Sequence, residues 1–215
     1  MYVNPIIKEV VTKIVLPIRG VKPTFNEYHV LKTLLILYEK GPLGRQLLSK
    51  HLGISVTSVR TLVNRLRRMN LIEIDSVAGC ILTPYGQAFV EKLLKLVNFG
   101  GDVTSILEKS LLLYNKAYCF LLRNGFALLK RFDVSYLRDT LIRYKAKAAI
   151  IAYILGDKVY IPPCEDLNEN VFPSLRKLRD ILGGKNFDAI ITVFAENERI
   201  AEEAFFLTLL ELNIL

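Results

Sequence analysis

Tryptophan is absent from this chain, histidine occurs only as His29 and His51, and cysteine only as Cys80, Cys119 and Cys164. The cysteines are widely separated with no C-x-x-C pair, so spacing assembles no zinc site. An odd, scattered set also argues against a disulfide framework and for a reducing compartment. Cys80 and Cys119 stand in apolar runs and read as core residues. No nucleophile neighbours a base, and both histidines fall in the N-terminal half, so no catalytic set can be composed. The chain is therefore not read as an enzyme, and neither a cofactor nor a metal is expected. Gly183-Gly184-Lys185 lacks the further glycine and the Ser/Thr of a phosphate loop, and reads as a helix end. Uncharged stretches such as Ala148 to Gly156 and Ala204 to Leu210 fall short of the ~18 residues needed to cross a bilayer. Lys8, Glu9 and Lys13 interrupt the first apolar residues, so no leader is expected and the protein is read as cytoplasmic.

What the chain does have is an uneven charge. Residues 1–98 hold 14 Lys+Arg against 6 Asp+Glu, a net of +8, whereas the remainder holds 15 against 15. Its 215 residues can form two small domains, each with a core. A basic half joined to a neutral half is the pattern expected when one part meets a polyanion. The alternative is a solvated lysine-rich surface.

Ile6, Ile7, Val10, Val11, Ile14 and Val15 recur at helical spacing until Pro17, which predicts an amphipathic helix within residues 1–20, docked on its own domain or on a second copy. Asn26 is a good N-cap for a helix carrying Val30, Leu31, Leu34, Leu35 and Leu37 inward, and Gly41-Pro42 ends it. Gly44 to His51 predicts a shorter helix burying Leu47, Leu48 and Leu52. Gly53-Ile54-Ser55 then supplies a sharp turn and a cap.

The next helix is the informative one. Val59, Leu62, Val63, Leu66 and Met69 form one buried stripe. Thr57, Ser58, Arg60, Thr61, Asn64, Arg65, Arg67 and Arg68 are left facing outward, with no acid among them. Ser55, Thr57 and Ser58 sit where hydroxyls and free N–H groups meet phosphates. Arg60, Thr61 and Asn64 are placed to read base edges, because arginine can fork onto guanine and asparagine onto adenine. Arg65, Arg67 and Arg68 are expected to grip backbone, with Arg45 and Lys50 of the preceding helix reaching the flanking strand. For Arg67 and Arg68 a solvated helix end is an equal reading. Leu71 to Asp75 alternates as a strand, Val77-Ala78-Gly79 turns, and Cys80 to Thr83 returns, with no Lys or Arg at the tip. Pro84 opens a further helix through Phe89, Val90, Leu93, Leu94 and Val97.

The segment from about Asn26 to Val97 resembles the winged helix-turn-helix transcriptional regulators of bacteria and archaea. These include the multiple-antibiotic-resistance type, whose second wing strand often ends Leu-Thr-x-x-Gly, here Leu82-Thr83-Pro84-Tyr85-Gly86. The short uncharged wing departs from that type. The resemblance implies a domain over residues 21–98 that binds double-stranded DNA. The whole arrangement is also similar to archaeal regulators joining such a unit to a small α/β domain, including the leucine-responsive branch with its βαββαβ effector domain.

Phe99-Gly100-Gly101 is the candidate domain boundary, two glycines after a helix that read as a hinge or a cap. Over residues 102–215 the pattern predicts a helix from Val103 to Tyr114, an apolar strand from Ala117 to Leu122 that could equally be helical, a helix from Val134, a strand from Ala148, a return strand from Lys158 to Ile161, a helix from Val171, a strand from Phe187 and a last helix from Asn197 to Leu212. The fold class is thus mixed α/β (α+β): a winged helix-turn-helix followed by a small sandwich, with a four-stranded βαββαβ sheet covered on one face. Glu196 and Glu198, after a strand and at a helix start, mark a ligand crevice, although acids there are also ordinary capping.

The function read from these features is a sequence-specific DNA-binding regulator acting as a homodimer. Its dimer contacts would come from the Ile6–Val15 helix, the Val103–Tyr114 helix or the apolar C-terminus, and a small-molecule effector could sit on the second domain. Two rivals remain at this point: a protein-binding winged helix within a larger nucleic-acid assembly, and an enzyme housed in the second domain.

Overall fold

The computed structural model describes residues 5–18, 20–164 and 166–215. Residues 1–4 and 19 of the expected 1–20 segment lie outside them. The chain divides into two compact units, Met1–Leu93 with Asn213–Leu215, and Leu94–Leu212.

The first unit contains α1 (Pro5–Val15), α2 (Glu27–Lys40), α3 (Arg45–Leu52), α4 (Val56–Arg68), the hairpin β1 (Ile72–Asp75) and β2 (Gly79–Leu82), and α5 (Pro84–Leu94). Local chemistry sets the boundaries. Asn26 accepts from the His29 N–H while the His29 ring accepts from the Asn26 N–H, a closed capping box at the start of α2. Gly53, at φ +66, ends α3, and Ser55 caps α4 by accepting from the Ser58 N–H at 3.1 Å. Leu47, expected inside, is 48% exposed, because adjacent residues on a helix point about 100° apart and Leu48 takes the inward position. Leu43 pairs with Cys80 in both directions, adding a third extended segment beside the hairpin.

The Leu82-Thr83-Pro84-Tyr85-Gly86 run is explained by its contacts. The Thr83 hydroxyl donates to the Asn70 carbonyl at 2.6 Å and accepts the Gly86 N–H at 3.0 Å, so one side chain closes the hairpin and caps α5. A Cβ on Gly86 would lie 2.0 Å from the Leu71 carbonyl oxygen, a backbone atom that cannot swing away. Gly86→Ala is therefore expected to destabilise the unit by roughly 1–3 kcal/mol or more. An unchanged urea midpoint, followed by far-UV circular dichroism, would show that the helix shifts without cost.

The second unit is a five-stranded sheet, order β3-β4-β7-β5-β6. The strands are β3 (Val97–Asp102), β4 (Ala117–Leu122), β5 (Ala148–Leu155), β6 (Lys158–Tyr160) and β7 (Ala189–Phe194), and the helices α6 (Gly125–Leu129), α7 (Val134–Arg143), α8 (Pro173–Leu182) and α9 (Glu198–Glu211). All its pairings are antiparallel. β4 and β7 are buried at all six positions because both sheet faces are covered. On one face Leu175, Leu178 and Leu182 of α8 join Val103, Leu107 and Leu111 over Cys119, Leu121, Ile190 and Phe194. On the other, Phe205 of α9 stacks on Phe120 at 4.4 Å, and α6 and α7 pack beside it.

Three expectations are corrected here. The succession βαββαβ exists from β4 to β7, but a fifth strand precedes it, β7 lies between β4 and β5, and helices cover both faces rather than one. Phe99-Gly100-Gly101 is not a hinge but a bulge inside β3, with Gly101 at φ +67 absorbing the extra residue. Residues 103–116 form turns, not a helix. Their apolar residues at helical intervals instead reach one core from a looping chain, begun where Asp102 accepts from the Thr104 hydroxyl and pairs with Lys116, contacts that pull its carboxyl pKa down to about 2.

The surfaces expected to make dimer contacts are largely occupied within the chain itself. Ile7, Val10, Val11 and Ile14 are 0–9% exposed, and α1 packs on α2 and α4. Ile214 and Leu215 are 1% and 0% exposed, and Lys8 donates to the Asn213 side chain at 2.5 Å.

Candidate nucleic-acid interface

Four apolar side chains hold α4 from behind. Val59, Leu62, Val63 and Leu66 are at most 1% exposed, so the opposite face is presented by packing rather than by chance. Thr57, Arg60, Thr61, Asn64, Arg67 and Arg68 are exposed along it, and Arg45 and Lys50 are exposed on α3. Three hydroxyls of the set are already engaged: Ser58 shares hydrogen bonds with Ser55 at 2.8 Å and with Thr24 at 2.5 Å, and Thr61 donates to the Thr57 carbonyl at 3.3 Å.

Arg65 is the correction in this set. Expected on the outer face, it is only 9% exposed, and its guanidinium donates to the Ile14 and Leu16 carbonyls at 2.6 and 2.8 Å. Its planar group also lies 5.4 Å from the Phe25 ring centre. It stitches the last carbonyls of α1 onto α4, a structural use of a cation at a helix C-terminus.

Between α3, α4 and the hairpin runs an open groove of about 690 Å³, lined by Arg45, Gln46, Leu47, Val56, Thr57, Arg60 and residues 74–80. Arg45 and Arg60 thus face one space from different helices. The acid in that groove, Asp75, is turned to its own backbone, accepting from the Val77 and Ala78 N–H groups at 2.8 and 2.6 Å. Those bonds, the one from Ala78 first, lower its pKa and keep it an acceptor that cannot donate to a phosphate. Val77 at the hairpin tip is 94% exposed.

In the second unit, Arg123 pairs with Asp188, Arg143 with Glu211, Lys147 with Glu196, and Arg176 and Arg179 with the buried Glu169. Among the described residues Arg45, Lys50, Arg60, Arg67 and Arg68 have no acid within ion-pair distance. Cations without partners on one exposed face concentrate positive potential there.

A braced rod with its outward cations unpaired, preceded by a short helix and followed by a hairpin, matches a known arrangement, and residues 28–73 match the family described as winged helix-turn-helix DNA-binding. The N-terminal unit carries a winged helix-turn-helix. The match takes in α2, α3 and α4 and ends at the start of the β1–β2 hairpin. Residues 113–212 match a domain of unknown function (DUF4443). A solved structure, a hypothetical protein from Pyrococcus horikoshii OT3, is similar at 25% identity and TM-score 0.66, covering 86% of this chain and 91% of that one. No curated protein matches.

Of the residues singled out from sequence, Arg45, Thr57 and Arg60 border one groove, while Ser55, Thr61, Asn64, Arg67 and Arg68 on or beside α4 and Lys50 on α3 are exposed in the same unit but not on its lining. Gln46 and Val56, which also line the groove, carry no signal in the sequence. Glu196 and Glu198 are not in this unit. Glu196 pairs with Lys147 at 3.1 Å on the surface, and Glu198 occupies the first turn of α9, where Asn197 caps by accepting from the Ile200 N–H. Both have the surface and first-turn contacts ordinary for acids at a helix start.

Proposed function

We propose that this protein is a sequence-specific transcriptional regulator that inserts α4 into the major groove of duplex DNA. The unpaired cations on the exposed face of α3 and α4 carry this reading. Arg60 and Asn64 read base edges, with Thr61 between them. Arg45, Lys50, Arg67 and Arg68, together with Ser55 and Thr57 at the start of α4, hold phosphates. Ser58 supports Ser55 rather than the duplex. The protein acts without catalysis, and its second unit serves ligand sensing or pairing of two copies on adjacent half-sites.

Salt dependence is the test. If the five unpaired cations each displace a counterion, the logarithm of affinity should fall with a slope of about −4.5 against the logarithm of salt, or roughly 500-fold between 50 and 200 mM. Fluorescence anisotropy with a labelled duplex pool measures it, and sedimentation of the same complex gives the number of copies bound. A second reading, a protein-binding winged helix, is favoured by one observation: Leu47, Val56, Ile74 and Val77 expose apolar surface along the groove, at 44–94% exposure. A flat salt response would select that reading.

A further inference from the structure

The second unit contains a cavity of about 320 Å³ lined by Phe126, Tyr153, Leu155, Tyr160, Pro162, Pro163 and Cys164. It opens beside the β5–β6 edge of the sheet, with α6 supplying Phe126. Its volume is at the small end of ligand sites, enough for one flat bicyclic molecule. The walls are rings. Phe126 meets Tyr153 edge-on at 5.2 Å, and Phe187 continues the aromatic surface at 6.3 Å from Phe126. Flat π-faces and proline rings favour a planar guest held by stacking.

Tyr153 is 7% exposed, yet its hydroxyl has no hydrogen-bond partner among the described residues. A phenol lining an open cavity can hydrogen-bond water or a guest there. Burial also raises its pKa, so it is a neutral group able both to donate and to accept. Among the described residues, none that lines the cavity is charged. Lys130 already sits over the Phe126 ring at 5.6 Å, which disfavours a second cation at that face.

We infer that this cavity is a binding site for a small, uncharged planar aromatic ligand, hydrogen-bonded by Tyr153. The inference rests on the sensing role proposed for the second unit for its regulatory meaning, whereas occupancy of the cavity does not require DNA. The test uses the full chain without DNA, titrated with indole by calorimetry. A Kd of about 10⁻⁴ M is expected for a guest of roughly ten heavy atoms. Tyr153→Phe, which removes only the hydroxyl, should weaken binding about three- to tenfold, and Cys164→Trp, at an exposed rim position, should abolish it by filling the space. Indole-3-acetate and tetramethylammonium should bind markedly more weakly than indole. The inference is overturned by no saturable binding up to the solubility of indole, by unchanged binding in Cys164→Trp or in Tyr153→Phe, or by a charged probe binding as tightly. Adding indole to the duplex titration then reports separately on regulation: cavity binding with no duplex binding at any salt would sink the DNA reading and leave this one standing.

Discussion

Arg60→Ala is expected to weaken binding to a preferred duplex about 5- to 150-fold, the ~1–3 kcal/mol that one forked pair of bonds to a base supplies, and to relax sequence preference at a single position. Arg60 is exposed on α4 and borders the groove shared with Arg45 and the wing, so its removal disturbs no core packing. Arg67→Ala should behave differently. Removing a phosphate-binding cation near the end of α4 weakens all sequences alike and lowers the salt slope by about 1. Anisotropy titrations on a selected duplex and on a scrambled one, each at several salt concentrations, separate the two effects. Equal losses on both duplexes for Arg60→Ala would place that side chain on the backbone. No loss for either variant would remove α4 from the interface.

The second large effect is expected from the arginine that faces inward. Arg65→Met keeps an apolar stem beside Phe25 but leaves the Ile14 and Leu16 carbonyls without the two N–H donors that now meet them. Deleting two hydrogen bonds from a charged group, at a site only 9% exposed, should lower stability by about 2–4 kcal/mol. The melting temperature should fall with it, while the salt slope of DNA binding by the folded protein stays unchanged. Reversed outcomes, a stable variant with a shallower slope, would return Arg65 to the DNA-facing set. Arg65 and Arg67 are two residues apart on one helix and should therefore fail in different assays, one in folding and one in binding.

Much of the first unit is legible in the sequence because its signals are local. Asn26 and Ser55 cap helices through bonds that span three residues, Gly53 turns the chain within its own neighbourhood, and the stripe from Val59 to Leu66 needs only helical periodicity to be recognised. These local signals place α4 and its neighbours in the right order. Arg65 defeats them because its position sits at the border of the buried stripe. Which way a border side chain turns depends on α1, fifty residues earlier, offering free carbonyls at that point.

The second unit is harder to read for a related reason. A helix from Val103 to Tyr114 fits the spacing of Ile106, Leu107 and Leu111, yet apolar residues at helical intervals are also what an irregular segment shows when it folds over a sheet face. β3 is hidden because Phe99-Gly100-Gly101 signals a break, and only pairing with β4 across a bulge makes it a strand. The cavity beside Tyr153 leaves no trace in the sequence at all, since Phe126, Tyr153, Tyr160 and Cys164 share no motif and meet only through the order of strands.

From the residues alone came the basic N-terminal half, the helix–turn–helix–hairpin order, and the outward hydroxyls and cations of α4. Each depends on composition or on neighbours within a few positions, where backbone geometry leaves few choices. Tertiary structure decided which cation turns inward, that the sheet has five strands covered on both faces, and where a ligand-sized space remains. Those outcomes depend on contacts between residues far apart in the chain, and their energies exist only once the chain has closed upon itself.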